Sequence, residues 1–152
     1  MTDDETRRSG AFWDGVTGRA PMPPAARTLG LEVVAVDPDA GTIDLTFTAP
    51  EAFTNPAGNV LGAFLAAMLY DTVGPALLAT LGPDEFQSTM DMHTEFRNPV
   101  RPGRIAAHGR VVHRIGDVAS VEAELTRADG VVIATATANA RVIPLAEAPA
   151  AV

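Results

Sequence analysis

The chain has 152 residues, which fits one domain, and 47% of them are hydrophobic, which is enough for a buried core. It contains no cysteine, so disulfides and cysteine-ligated metal sites are excluded and a cytoplasmic protein is the simplest expectation. The net charge of −8 gives no overall basic surface, so we expect no nucleic-acid partner.

The first 27 residues are predicted to form an N-terminal arm with a short helix. Residues 1–5 are polar and lack the apolar stretch of a signal peptide. Residues 11–15 are expected to be helical and to lay Phe12 and Trp13 on the body of the protein. A second helical turn is expected at 25–29, stopped by Gly30.

The next segment predicts a β-hairpin. Residues 31–36 are rich in β-branched side chains, and residues 37–41, DPDAG, have the composition of a turn. Residues 42–49 alternate, with Ile43, Leu45, Phe47 and Ala49 on one face, which is typical of a half-buried strand.

A loop at 50–59 is followed by the longest apolar stretch, residues 60–81. Its length is close to the roughly 20 residues of a membrane span. However, Asp71 lies near its middle, and a charged side chain there is costly in a bilayer. We therefore predict a buried helix and no membrane partner.

The remainder of the chain predicts four strands. Their expected bounds are 86–96, 104–113, 118–127 and 131–143, with turns between them and a small tail at 144–152. Because the connections are short, these strands are expected to form one antiparallel meander. The sheet must curl around the helix to bury it, which gives an α+β fold with a long central helix wrapped by a curved antiparallel β-sheet.

Two segments resemble a known family. Residues 54–76, TNPAGNVLGAFLAAMLYDTVGPA, resemble the loop and helix of hotdog-fold acyl-CoA thioesterases of the phenylacetate-pathway type. Members typically read N-P-x-G-x-x-[HQ]-G-G, with an acid eight residues after the first of the paired glycines. Residues 89–103, TMDMHTEFRNPVRPG, resemble the third strand and turn of that family. The resemblance covers about 28–143, which we take as the hotdog domain, and implies a homodimer or homotetramer.

The resemblance also implies three catalytic roles. The backbone N–H of Gly62, at the start of the helix, would polarise the thioester carbonyl, because the first amides of a helix are unpaired and favour negative charge. Asp71 would act as general base or nucleophile, and Asn55 would orient the carbonyl or the water.

The chain departs from the family motif at three positions. Leu61 stands where the family has His or Gln, Ala63 replaces the second glycine, and Tyr70 occupies the acid position. Asp71 follows one residue later, and an offset of one residue turns a helical side chain by about 100°. Asp71 therefore has two further interpretations, a structural residue at a subunit contact or a ligand contact without chemistry.

The predicted substrate-binding residues fall into two groups. Leu61, Ala63, Phe64 and Tyr70 are expected to line the acyl pocket. Arg97, Arg101 and Arg104 lie near one turn and either face solvent or capture the phosphates of coenzyme A, for which guanidinium groups are well suited.

The function predicted first is an acyl-CoA thioesterase that releases a carboxylic acid and coenzyme A. It needs no cofactor beyond the coenzyme A of its substrate. The three histidines lack metal-ligand spacing, so no metal is expected. The alternative is a non-catalytic hotdog protein that binds acyl-CoA or another acyl ligand. A dehydratase is disfavoured, because no histidine lies near the helix motif.

Overall fold

A six-stranded antiparallel sheet and one long helix form the body of the protein in the computed structural model, which describes residues 8–152. The helices are α1 (Ala11–Val16), α2 (Pro24–Thr28) and α3 (Gly62–Leu78). The strands are β1 (Glu32–Asp37), β2 (Thr42–Ala49), β3 (Glu85–Phe96), β4 (Gly103–Ile115), β5 (Val118–Thr126) and β6 (Val132–Pro144). Short 3-10 helices occupy Glu51–Phe53 and Leu145–Ala150, the second of them within the predicted tail. The architecture predicted from the sequence is confirmed.

The strand order in the sheet is β1-β2-β4-β5-β6-β3. The predicted β1–β2 hairpin is confirmed, and β4, β5 and β6 form a meander. The predicted meander is wrong for β3, which pairs with β6 at the sheet edge rather than with β4. β3 and β4 lie three strand spacings apart, about 14 Å. The six residues between them, 97–102, can span about 20 Å when extended, so a short connection does not require neighbouring strands.

The core lies between the concave face of the sheet and α3. The inward residues predicted for β2 are buried, with Ile43 and Phe47 both at 0% exposure. The same alternation is found in β5, where Ala119, Val121, Ala123 and Leu125 are buried. From the helix, Met68, Leu69 and Leu77 fill the space opposite them. Period-2 patterns thus identified the strand faces correctly.

Helix α3 approaches β4 closely at one position. A Cβ placed on Gly109 would lie 3.0 Å from Thr72 Cγ2 and 3.1 Å from Ala76 Cβ. The Thr72 hydroxyl is itself satisfied, because it donates to the Met68 carbonyl at 2.7 Å. Glycine on β4 therefore lets the backbone of the strand come near the helix.

The sheet does not cover all of α3. Thr72, Val73 and Gly74 are buried, whereas Ala63 is exposed and Tyr70 and Asp71 are half-buried. The uncovered face lies beside β3, whose outer edge has no partner strand among the described residues. Phe96 on this strand is 57% exposed, and Met92 lies against the same face of the helix. An open apolar region therefore lies along one face of the first half of the helix.

The N-terminal segment packs at the other end of α3. Trp13 of α1 is 6% exposed and meets Phe12 edge to face, with 5.3 Å between ring centroids. The Arg8 guanidinium lies 5.6 Å from the Trp13 ring centroid. Residues 1–7 of the predicted arm lie outside the described residues. Within residues 8–152, no helix combines the length and hydropathy needed to cross a membrane.

Candidate active site

The loop before α3 is fixed by Asn55. Its Oδ1 accepts hydrogen bonds from the N–H groups of Ala57 at 3.0 Å and Asn59 at 3.1 Å, an Asx-type arrangement. Gly58 adopts a φ of +80°, which closes the turn. The Asn55 Nδ2 has no acceptor within the described part of the chain, so it is available to a ligand.

Helix α3 begins without a side-chain cap. The N-cap residue is Leu61, whose carbonyl accepts from the N–H groups of Phe64 and Leu65. The N–H groups of Gly62 and Ala63 have no acceptor in residues 8–152. Two consecutive amides at a helix N-terminus, both unpaired, favour a ligand atom that carries negative charge.

A cavity of about 270 Å³ opens beside this helix start, and we call it the amide cavity. Its lining includes Asn55, Gly62, Phe96 and Arg97. A Cβ on Gly62 would lie 3.3 Å from the Phe96 ring, so the glycine leaves room for this exposed aromatic side chain. The amide cavity thus places Asn55 and Gly62, predicted to act together, beside one another.

A second cavity of about 540 Å³ flanks the uncovered face of α3, and we call it the carboxyl cavity. It is lined by Tyr70 and Asp71, by three alanines of the helix, by residues of and around α2, and by one methionine of β3: Ala63, Ala66, Ala67, Pro23, Ala25, Ala26, Leu29 and Met92. The small alanine side chains leave the space open, because they reach no further than Cβ.

The two polar residues of this cavity are unusual. Asp71 has no hydrogen-bond or ion-pair partner in residues 8–152, and burial raises the pKa of its carboxyl from 3.8 to about 6. The Tyr70 hydroxyl is buried and also lacks a partner in that range. A phenol and a carboxyl left unsatisfied in an apolar pocket are costly, and both would gain from a polar ligand.

A single chain does not bring Gly62 and Asp71 together. They are nine residues apart on α3, which is about 13 Å along the axis. The amide cavity and the carboxyl cavity have no lining residue in common. Chemically, the first can stabilise an oxyanion and the second can accept a proton, but they can act on one carbonyl only if two copies meet.

The remaining predicted acyl-pocket residues lie in different places. Leu61, at the N-terminus of the helix, is 42% exposed, and Ala63 lines the carboxyl cavity. Phe64 stacks on Phe53 with ring centroids 3.8 Å apart and lines neither cavity. Their assignment to substrate stays a prediction.

The three predicted arginines also separate. Arg97 lines the amide cavity and pairs with Glu95 at 3.2 Å. Arg101 and Arg104 line a third cavity together with Arg127, which the sequence reasoning missed. No local pattern in the sequence relates Arg127 to the other two arginines, because only the fold brings it next to Pro99. Within residues 8–152, no cluster of three His, Asp or Glu side chains could hold a metal.

Residues 57–134 match the thioesterase superfamily. The chain is 37% identical to a candidate thioesterase of Ralstonia eutropha JMP134, a phenylacetic acid degradation-related protein, with a TM-score of 0.82 over 86% of this chain and 98% of that one. The Escherichia coli PaaI protein, from the phenylacetic acid degradation operon, is 16% identical with a TM-score of 0.76, covering 87% and 93% of the two chains.

A thioesterase from Haemophilus influenzae is likewise 16% identical, with a TM-score of 0.78 over 91% of this chain and 94% of that one. At this level of identity the likeness concerns the fold. No match was found among curated proteins.

Proposed function

Since this chain belongs to the hotdog-fold thioesterase superfamily, we propose that it hydrolyses an acyl-CoA thioester to a carboxylic acid and coenzyme A. The observation that carries the proposal is that one helix presents two complementary halves of an active site, which we call half-sites: amides that can stabilise an oxyanion and a carboxyl that can accept a proton. Unpaired amides at Gly62 and Ala63 lie at one end, and a half-buried Asp71 with its pKa raised to about 6 lies nine residues on.

The reaction follows from these two half-sites. The Asp71 carboxylate takes a proton from water as the water oxygen bonds to the carbonyl carbon. The carbonyl oxygen becomes negative and accepts hydrogen bonds from the Gly62 amide, assisted by the free Nδ2 of Asn55. The C–S bond then breaks, and Asp71 returns its proton to the departing thiolate. The products are a carboxylic acid and a thiol, and Asp71 is again a carboxylate.

In this proposal the active protein is a homodimer, or a homotetramer built from two such dimers. The distance of about 13 Å along α3 is longer than an aspartate side chain can reach, so Gly62 of one copy must meet Asp71 of another. The exposed Phe96 ring beside Gly62 at the start of α3 supports such a contact, because burying it removes apolar surface from water. Each dimer then holds two equivalent sites.

Tyr70 favours a second candidate, a protein that binds an acyl ligand without hydrolysing it. Tyr70 stands at the acid position of the family, and its phenol does not supply the carboxylate that the family uses as general base. In that case the Tyr70 hydroxyl would donate a hydrogen bond to the bound ligand, and the Asp71 carboxyl would accept one.

The two candidates separate in one experiment. The purified protein is incubated with short-chain, long-chain and aryl acyl-CoAs, and thiol release is followed with a thiol-reactive dye. Turnover above buffer that is lost in Asp71→Asn supports hydrolysis. Calorimetric binding of acyl-CoA without thiol release supports the binding protein and rejects hydrolysis.

A further inference from the structure

Arg101 lies on the turn between β3 and β4, yet its side chain reaches residues 55–59, which we call the Asn55 turn. The Nη1 of Arg101 donates to the Ala57 carbonyl at 3.0 Å. The side chain has no carboxylate partner in residues 8–152, so no ion pair competes there for its donors. This exposed guanidinium is therefore bound to the backbone of the loop that precedes α3.

The peptide unit between Ala57 and Gly58 is held on both sides. Its carbonyl accepts from Arg101, and its N–H, that of Gly58, donates to the Asn55 carbonyl at 2.9 Å. A peptide unit is planar, so fixing both groups fixes the orientation of the plane. The Asn55 Oδ1 accepts from the N–H groups of Ala57 and Asn59, which ties the side chain to the same backbone. Among these bonds, the one from Arg101 alone comes from outside the turn.

Gly58 leaves the space that the guanidinium occupies. A Cβ at this position would fall on Arg101 Nη1, and the φ of +80° is one that glycine adopts without strain. A residue with a side chain at position 58 would therefore push the guanidinium away from the Ala57 carbonyl. The contact between Arg101 and the Asn55 turn thus depends on a matched pair, an arginine on one segment and a glycine on the other.

Arg101 links the Asn55 turn to the sheet. The other hydrogen bonds made by residues 55–59 in the described part of the chain close within the turn. The segment that carries Arg101 is itself fixed, because Arg127 Nη1 donates to the Pro99 carbonyl at 3.0 Å. The orientation of the Asn55 side chain relative to the sheet therefore depends on the Arg101 bond.

We propose that Arg101 is a positioning residue, which holds the Asn55 turn so that Asn55 Nδ2 points at the carbonyl oxygen of the bound thioester. The inference rests on the proposed function and differs from both interpretations of Arg101 drawn from the sequence. A donor stabilises an oxyanion only if it is held in place beforehand. A misplacement of about 1 Å can cost roughly 100-fold in rate, so a residue that touches no substrate can still govern kcat.

The first test uses acyl thioesters of N-acetylcysteamine, which carry no phosphate, so that any contact between Arg101 and coenzyme A is removed. In Arg101→Met we expect kcat to fall by about tenfold with little change in KM, because the donor is displaced while the acyl group still binds. Arg101→Lys keeps a cation that can donate to the Ala57 carbonyl, and should return kcat to within about threefold of the wild type.

Arg114→Met is the matched control. The Arg114 Nε also donates to a turn carbonyl, that of Gly116 at 2.9 Å, but in the turn between β4 and β5. This variant should leave kcat unchanged. An equal loss of activity in Arg101→Met and Arg114→Met would overturn the inference, because the effect would then not be specific to the Asn55 turn.

A double-mutant cycle shows whether Arg101 acts through Asn55. Asn55→Ala removes the Nδ2 donor, and with it the group that Arg101 is proposed to position. Adding Arg101→Met to Asn55→Ala should therefore lower kcat by less than about twofold further. A further fall of about tenfold, the additive result, would show that Arg101 acts independently of Asn55 and would reject the inference.

Hydrogen exchange measures the same positioning without a reaction. The N–H groups of Ala57 and Asn59 are bonded to Asn55 Oδ1, and in Arg101→Met they should exchange at least about tenfold faster, with the amides of β4 and β5 unchanged. Unchanged exchange, or faster exchange with an unchanged kcat, would contradict the role of Arg101. Faster exchange in a protein that hydrolyses no thioester would keep Arg101 as the residue that holds the Asn55 turn and reject only the proposed function.

Discussion

Gly62 and Asp71 lie on one helix, yet they face two cavities with no residue in common. The helix keeps them about 13 Å apart along its axis, and no side-chain rotation closes that gap. The proposed reaction therefore depends on an encounter between subunits, which can be tested directly.

The first prediction is complementation between inactive subunits. Gly62→Pro removes the amide hydrogen, and proline is tolerated at the first position of a helix. Asp71→Asn removes the base. Each variant should be inactive alone, but after mixed refolding about a quarter of wild-type activity should return, since half of random dimers carry one intact site.

Gly62→Ala is the control for this experiment. It adds a Cβ near the movable Phe96 ring but keeps the N–H, and so should retain most activity. A tag on one variant shows whether mixed dimers have formed. If they have formed and the mixture is still inactive, the proposal of a site shared between subunits is contradicted.

The second prediction separates the two neighbouring side chains of the carboxyl cavity. Asp71→Asn should lower kcat by about 10²–10⁴-fold, the usual effect of losing a general base. Tyr70→Phe removes only a hydroxyl that has no partner in the described chain, and should lower kcat by less than about tenfold. The reverse order of these effects would assign the chemistry to Tyr70.

The third prediction concerns the dependence of activity on pH. The pKa of Asp71 is raised to about 6 by burial, and the base must be ionised to act. In the wild type, kcat/KM should therefore rise with pH to a plateau above about 6 rather than above 4. A profile that is flat between pH 5 and about 7 would show that another group limits the reaction.

The fourth prediction is that the same carboxyl destabilises the fold above its pKa. The folded-state pKa of about 6 lies above the ordinary 3.8, so the folded state binds the proton more tightly than the unfolded state. The stabilisation is complete below the unfolded value and is lost as the pH rises through about 6. Asp71→Asn should thus raise the free energy of unfolding by roughly 3 kcal/mol at pH 8 and by little at pH 4. Denaturant titrations at both pH values measure the difference, and Asp84→Asn at an exposed position is the control.

The fifth prediction addresses the contact between β4 and α3. Gly109→Ala would place a Cβ about 3 Å from atoms of Thr72 and Ala76, inside a buried region. Overpacking of this kind typically costs about 1–3 kcal/mol, measured as a lower midpoint in denaturant. Gly82→Ala meets only an ordinary contact of 3.6 Å with Glu85 and should change the midpoint little.

The sequence predicted those features that depend on local pattern. The alternation of Ile43, Leu45 and Phe47 was enough to assign the buried face of β2, because side chains alternate along a strand. The position of β3 was not predictable in this way, since its pairing with β6 joins residues as far apart as Glu85 and Pro144. The short connection between β3 and β4 favoured a pairing of these two strands, but in the folded sheet β3 pairs with β6 instead.

In the candidate site, too, residues within one local motif could be predicted, whereas residues from distant segments could not. The motif placed Asn55 and Gly62 beside one another, because both belong to one loop and the helix that follows it. No local pattern could place Leu29 and Met92 in the wall of the carboxyl cavity, because they come from distant segments. Arg127 was missed for that reason too, since only the folded sheet brings its turn next to Pro99.

The burial of Trp13 gives the protein an intrinsic optical reporter. It is the one tryptophan in the sequence, and it lies on the buried side of α1, near the segment that includes Ala79 and Leu81, beyond the last turn of α3. Excitation at the red edge of the aromatic band therefore records release of the N-terminal helix alone. A red shift in emission that precedes the loss of circular dichroism would reveal detachment of that helix as a separate step of unfolding.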